Sequence, residues 1–196
     1  MRTRVNNKVE LVKKTAIELM VKDGLEGFSM NKLARACNIS VATLYIYYKD
    51  RDDLIVNIAV DEGQQMSAAM TRDFDPAMPF EQGLRIQWRN RYEYVKQNPM
   101  MNAFFEQLRN SSYQEKFLES FLSDFKIAMG DFMRNSISRG DVDEMPFEAY
   151  WSIAYGPLYS LIRFDQEGQS MGGREFKMTD KVLWKTFDLV VKALKK

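Results

Sequence analysis

At 196 residues, 45% of them apolar and 28% charged, the chain has the make-up of an ordinary globular unit of one or two domains with a substantial core. It contains no histidine, which excludes the serine, cysteine and zinc chemistries that use imidazole as base or ligand; its single cysteine, Cys37, excludes an intrachain disulfide or a CxxC site. The net charge of +1 conceals an asymmetry: residues 1–51 carry 10 Lys and Arg against 5 Asp and Glu, the remainder 18 against 22. A basic first quarter suits a polyanionic partner. No N-terminal apolar segment resembles a secretory signal, and the longest apolar stretch, Leu54 to Val60, is interrupted by Asn57. No membrane contact and a cytoplasmic location are therefore expected.

Taken in chain order, nearly every segment has helical periodicity and none alternates with a period of two. Asn7 and Glu10 resemble a capping box, followed by Val9, Val12, Ala16, Ile17 and Met20 at helical spacing until Asp23-Gly24. Ser29 opens a second short helix through about Ala36, and Ser40 a third from Val41 to Tyr47 or Tyr48. Asp50 starts a fourth that the period extends to about Phe74. Later helices are expected over 80–97, 100–110, 114–138, 147–167 and 180–195, separated by Asn98-Pro99, Ser111-Ser112, Arg139-Gly140-Asp141, Met145-Pro146 and the loop carrying Gly172-Gly173. The expected fold is all-α with about nine helices.

Residues 29–54 carry the most information. Two short helices flank Cys37, Asn38 and Ile39, and Asn38 stands where a helix-turn-helix needs a residue tolerant of left-handed backbone. Leu33, Ala34, Ile39 and Leu44 would fix the angle between the helices. Ser40, Val41, Ala42 and Thr43 are small enough to bring a helix N-terminus close to a DNA groove. Tyr45, Tyr47 and Tyr48 cannot all point inward from one short helix, so at least one hydroxyl is left to donate to phosphate. Lys49 and Arg51 add positive charge beside them.

The run from Ser40 to Leu54, SVATLYIYYKDRDDL, resembles the recognition-helix signature of the tetracycline-repressor (TetR) family, and Ile17, Leu19, Gly24, Phe28-Ser29 and Leu33-Ala34 resemble its first two helices. The match covers about 50 of the 196 residues; the rest agrees in length and helical character. The resemblance implies an N-terminal three-helix DNA-binding domain, 1–51, and a helical ligand-binding and dimerisation domain, 52–196. It implies that Ser29 caps the second helix and touches the DNA backbone with Asn31 and Arg35 near phosphates. Ser40, Val41, Ala42 and Thr43 would face base edges or the adjacent backbone, while Tyr45 and Tyr47, assisted by Lys49 and Arg51, would contact phosphates. Tyr48 stands where the family usually has Phe and is expected to be a packed ring. Val41 replaces a frequent Lys, which favours contact with a thymine methyl over guanine. Cys37 replaces a usual alanine and reads as a small buried residue in preference to a redox sensor. Arg2 and Arg4 read as a basic tail in preference to a minor-groove arm.

Beyond Pro79 the chain is rich in aromatics and methionine. Phe80, Leu84, Trp88, Tyr92 and Val95 form one stripe, and single residues of this kind usually belong to a bundle core. Collectively they suit a pocket for an apolar or aromatic ligand, for which the candidates are Trp88, Tyr92, Phe104, Phe105, Phe121, Phe125, Trp151 and Tyr155. Arg85, Arg89 and Arg91 are possible polar anchors, although helix-surface arginine is the commoner fate. On the last two helices Leu158, Ile162, Leu183, Trp184, Phe187, Val190, Val191 and Leu194 form wide apolar stripes that would build an isologous four-helix interface between two subunits. Gly156-Pro157 is expected to kink the eighth helix.

The reading is a homodimeric transcriptional repressor, released from a palindromic double-stranded DNA operator by a small apolar or aromatic molecule. No cofactor, metal or enzymatic activity is expected. The alternatives are a ligand-dependent activator, a DNA-binding protein controlled by a protein partner, or a helical carrier or enzyme.

Overall fold

The computed structural model describes residues 2–196, with side chains described from Lys8 onward except for residues 116, 117 and 119–124. Among the described residues there are nine helices and no β-strand: α1 Arg2–Gly27, α2 Met30–Ala36, α3 Val41–Leu44, α4 Arg51–Met70, α5 Phe80–Gln97, α6 Pro99–Arg109, α7 Gln114–Ser138, α8 Phe147–Glu167 and α9 Asp180–Leu194. The all-α expectation and five of the later helix boundaries hold to within a residue.

Three boundaries differ. α1 already runs from Arg2, because no glycine or proline precedes Asn7 to stop it; Asn7 is therefore not a cap. The side chains of Arg2 and Arg4 lie outside the described residues. Gly24, with φ 76° and ψ 163°, breaks the regular run near its end, a conformation that a Cβ would oppose. α3 is regular only to Leu44, and Tyr45 to Tyr47 continue as turns. α4 stops at Met70, short of the expected Phe74. There the buried Asn90 amide donates to the carbonyls of Met70 and Arg72, at 3.2 and 2.7 Å, while Asp73 turns left-handed at φ 58°. An inward amide has taken the place of the next helical turn.

The chain divides into two compact units, 1–65 with 98–122, and 66–97 with 123–196. In the first, α1 packs on α2 and α6, and α2 on α3. Its core contains Ala16, Ile17, Met20, Leu33, Leu44, Leu54, Ile55, Ile58, Phe104 and Leu108, all nearly inaccessible. Gln107 ties α6 to α1 by donating to the Val21 carbonyl at 3.2 Å. In the second, α9 packs on α8 and α5, and α5 on α8. Trp88 lies at its centre: its indole N–H donates to the Ala154 carbonyl at 2.7 Å and its ring meets Phe187 edge-on at 5.4 Å. Full burial of a side chain of this size contributes about 1.5–3 kcal/mol. α8 remains helical on both sides of Pro157.

Candidate functional site

The helix-turn-helix is built from local hydrogen bonds. Ser29 caps α2 by accepting from the Lys32 amide at 3.3 Å. At its other end the Asn38 amide donates to the Arg35 carbonyl and the Ile39 amide to the Ala34 carbonyl, at 3.1 and 3.0 Å. This paired closure requires a left-handed residue between them, and Asn38 supplies it at φ 54°. Ser40 then caps α3, accepting from the Thr43 amide at 3.2 Å with the two hydroxyls 2.8 Å apart. Leu33, Ala34 and Leu44 are buried and Ile39 is half-buried, forming the small core that sets the turn. Cys37 is a buried free thiol that lines, with Val12, Leu44 and Tyr48, an apolar cleft of about 30 Å³.

What this frame leaves outside is polar and aromatic. Tyr45 and Tyr47 are 54% and 48% exposed, whereas Tyr48 is 7% exposed and packed inward, its phenol held above its ordinary range by burial. Ser40, Ala42, Asn31, Arg35 and Lys49 are exposed, and Ser29, Val41 and Thr43 are half-buried. Ile46, 74% exposed between the two tyrosines, was not among the expected contact residues; an apolar side chain between two outward rings was the available signal. Arg51 points the other way. Its Nε donates to the Phe28 carbonyl at 3.1 Å, one Nη to the Leu25 carbonyl, and the other to Tyr113 Oη and Asp52 at 2.9 and 3.1 Å. Tyr113 in turn donates to Asp52 at 2.6 Å, and burial together with that bond pushes its phenol up to about 12. Four of the five guanidinium protons are thus committed inside the first unit.

The expected ligand residues fall in both units. Phe104 and Phe105 belong to the first, with rings 5.7 Å apart. Trp88, Tyr92, Phe125, Trp151 and Tyr155 belong to the second; the side chain of Phe121 lies outside the described residues. Phe125, Trp151 and Tyr155 surround Arg91, whose guanidinium carbon sits 5.4, 5.9 and 4.2 Å from their ring centroids. Arg91 is fully buried, contrary to the surface fate expected of it. Its place was legible: Leu84, Trp88, Arg91 and Val95 fall on one heptad stripe.

Residues 14–58 match the sequence model described as bacterial regulatory proteins, tetR family, and residues 60–187 the one described as a tetracyclin repressor-like C-terminal domain. The chain belongs to the TetR family. An uncharacterised helix-turn-helix-type transcriptional regulator of Haemophilus influenzae is 33% identical over 89 residues, 45% of this chain, so the match spans about half the length of that relative, 48%. Among solved structures, a TetR family transcription regulator from Marinobacter aquaeolei VT8 superposes with a TM-score of 0.84 at 22% identity over 100% of both chains. A TetR family protein from Vibrio parahaemolyticus gives 0.78 at 18% identity over 95% of this chain and 98% of its own. TetR family members are non-enzymatic DNA-binding transcription regulators, and the chain is a regulator of that class.

In this TetR family chain the stripes expected at a subunit interface lie inside the subunit. Leu158, Ile162, Leu183, Phe187, Val190, Val191 and Leu194 are buried where α8, α9 and α5 meet, and of the expected set Trp184 alone is partly exposed. The large apolar side chains that α8 and α9 do expose are Phe147, Ile153 and Leu189. No described helix is long and apolar enough to cross a membrane.

Proposed function

We propose that the chain is a homodimeric repressor that holds a near-palindromic operator through α3 and releases it when a small molecule with an aromatic or aliphatic body binds among α5, α7 and α8. Residues 1–51 read the DNA and 52–196 receive the ligand and pair the subunits, in the cytoplasm. The observation that carries the DNA half of this reading is the outward pair Tyr45 and Tyr47 in the turns that follow the serine-capped α3, beside an ammonium on Lys49 that has no ion-pair partner among the described residues. Ser29, Asn31, Arg35 and Ser40 serve the sugar-phosphate backbone, and Val41, Ala42 and Thr43 meet base edges. Arg51 supports the frame beneath them. Because the expected interface stripe is internal, the dimer uses the outer faces of α8 and α9, around Trp184, Ile153 and Leu189. The ligand acts by preferring a dimer whose two recognition helices are wrongly spaced for successive major grooves, since only a difference in affinity for two states shifts their balance.

Salt titration of DNA binding tests the contact set. Tyr45→Phe should weaken binding to every duplex alike, and Lys49→Ala should do so while reducing the slope of log affinity against log salt by about one. Unchanged affinity and slope in both variants would remove Tyr45 and Lys49 from the DNA interface.

A further inference from the structure

Arg91 of α5 is a fully buried cation with no carboxylate within ion-pair distance among the described residues. Its one hydrogen bond runs from Nη1 to the Gln87 carbonyl, 3.2 Å away and one turn earlier on α5. Nε and Nη2 have none. Those two nitrogens form a single edge of the planar guanidinium, with parallel N–H groups spaced to meet both oxygens of one carboxylate. The side-chain nitrogen of Gln87, also fully buried, has no partner either, while the carbonyl end of that amide accepts from the Tyr155 hydroxyl. All three unmatched groups are donors. Buried polar atoms are nearly always partnered, and an unpaired buried charge is heavily penalised, so such a cluster calls for an acceptor carrying negative charge.

Nothing described around Arg91 provides that charge. Tyr155, Phe125 and Trp151 offer ring faces, which attract a cation without occupying its N–H groups. Tyr150 and Tyr155 carry the nearby hydroxyls, 3.5 Å apart, and burial holds both phenols above their ordinary range and therefore neutral. A row of rings also leads from the surface to Arg91. Phe147, Trp151 and Tyr155 repeat every fourth residue along α8, with ring centroids 5.8 and 4.7 Å apart in succession. The first is 59% exposed, the second half-buried and the third fully buried beside Arg91.

We propose that Arg91 and Gln87 anchor a small organic carboxylate, which takes the free Nε–Nη2 edge while its aromatic or aliphatic body lies against Phe125, Trp151 and Tyr155. This rests on the ligand-responsive reading above and narrows its ligand from apolar to acid-headed. Trp151, partly exposed and in ring contact with Tyr155, is the side chain that must swing to admit it.

The test uses the full chain without DNA and reads thermal unfolding with matched probes: benzoate beside benzamide, phenylacetate beside phenylacetamide, decanoate beside decanamide. At least one acid should raise the melting temperature and bind about ten- to a hundredfold more tightly than its amide, the range expected for charge-assisted bonds to a buried partner. Arg91→Met should abolish the preference for the acid. Arg91→Lys keeps the charge and loses the paired edge, so its acid affinity should fall about tenfold even where the methionine variant folds poorly. Equal binding of acid and amide, no response to any acid, or full acid affinity in Arg91→Lys overturns the proposal. The regulatory reading fails separately: acid binding that leaves bound operator in place sustains the Arg91 site and contradicts ligand release.

Discussion

Lys49, before α4, and Arg51, its first residue, stand two positions apart and have opposite fates. The Lys49 side chain stays in solvent, whereas Arg51 folds under the turn onto the carbonyls of Leu25 and Phe28. Both carbonyls lie where α1 ends at Gly27, so no further helical turn donates to them, although the Leu25 carbonyl also accepts the Phe28 amide at 3.3 Å; the end of a helix leaves acceptors that something must satisfy. Arg51→Met should therefore lower the stability of the protein by about 1–3 kcal/mol in chemical denaturation, for several lost hydrogen bonds to buried acceptors. It should leave the salt slope of DNA binding unchanged; a reduced slope at unchanged stability would return Arg51 to the phosphates. The sequence presents both residues as positive charge beside tyrosines. Which carbonyls lie beneath them, and that Tyr113 arrives from far along the chain, depends on tertiary packing.

At the scale of elements, α2 and α3 depend on one left-handed residue and α5 on one missing side chain. Asn38→Ala should destabilise the protein by about 1–2 kcal/mol, because alanine adopts the left-handed backbone of φ 54° less readily than asparagine, while Asn38→Gly should fall within about 0.5 kcal/mol of the original. Equal stability of the two variants, measured by thermal melting, would mean that the turn has another conformation. A Cβ on Gly83 of α5 would overlap Cε2 of Phe132 and lie 2.7 Å from its Cζ; that ring also stacks on Phe80 at 5.8 Å. Gly83→Ala should consequently cost about 1–3 kcal/mol in the same measurement, as overpacking of a filled core does. Stability equal to that of the unmodified chain would show that Phe132 can move aside.

Most elements were legible because amphipathic periods and Gly, Pro, Ser and Asn punctuation act locally. The turn at Asn38 follows from such signals, whereas the inward Tyr48 was expected from the family resemblance, which has Phe at that position. The α9 stripe was not assignable in the same way: Leu183, Phe187, Val190 and Leu194 have the spacing of a helix contact whether the partner helix belongs to the same chain or another. Here α8 and α5 of the same subunit cover it. The end of α4 was equally hidden, since the amide that stops it, Asn90, lies 20 residues from the Met70 carbonyl it caps.

For the whole molecule, a regulator that pairs two such subunits meets DNA with two copies of α3 related by a two-fold axis. Its half-sites must then be inverted and their centres about 34–36 Å apart, or a multiple of that, for both helices to enter major grooves on one side of the duplex. The measurement that bears most directly on this is enrichment from a random pool of duplex DNA by the ligand-free protein at low salt, beside a Tyr45→Ala, Lys49→Ala variant. An inverted repeat with that spacing, retained by the unmodified protein and lost by the variant, is the expected result. A folded, ligand-free protein that enriches no sequence, or one whose enriched sequence the variant binds as well, would contradict DNA recognition through α3.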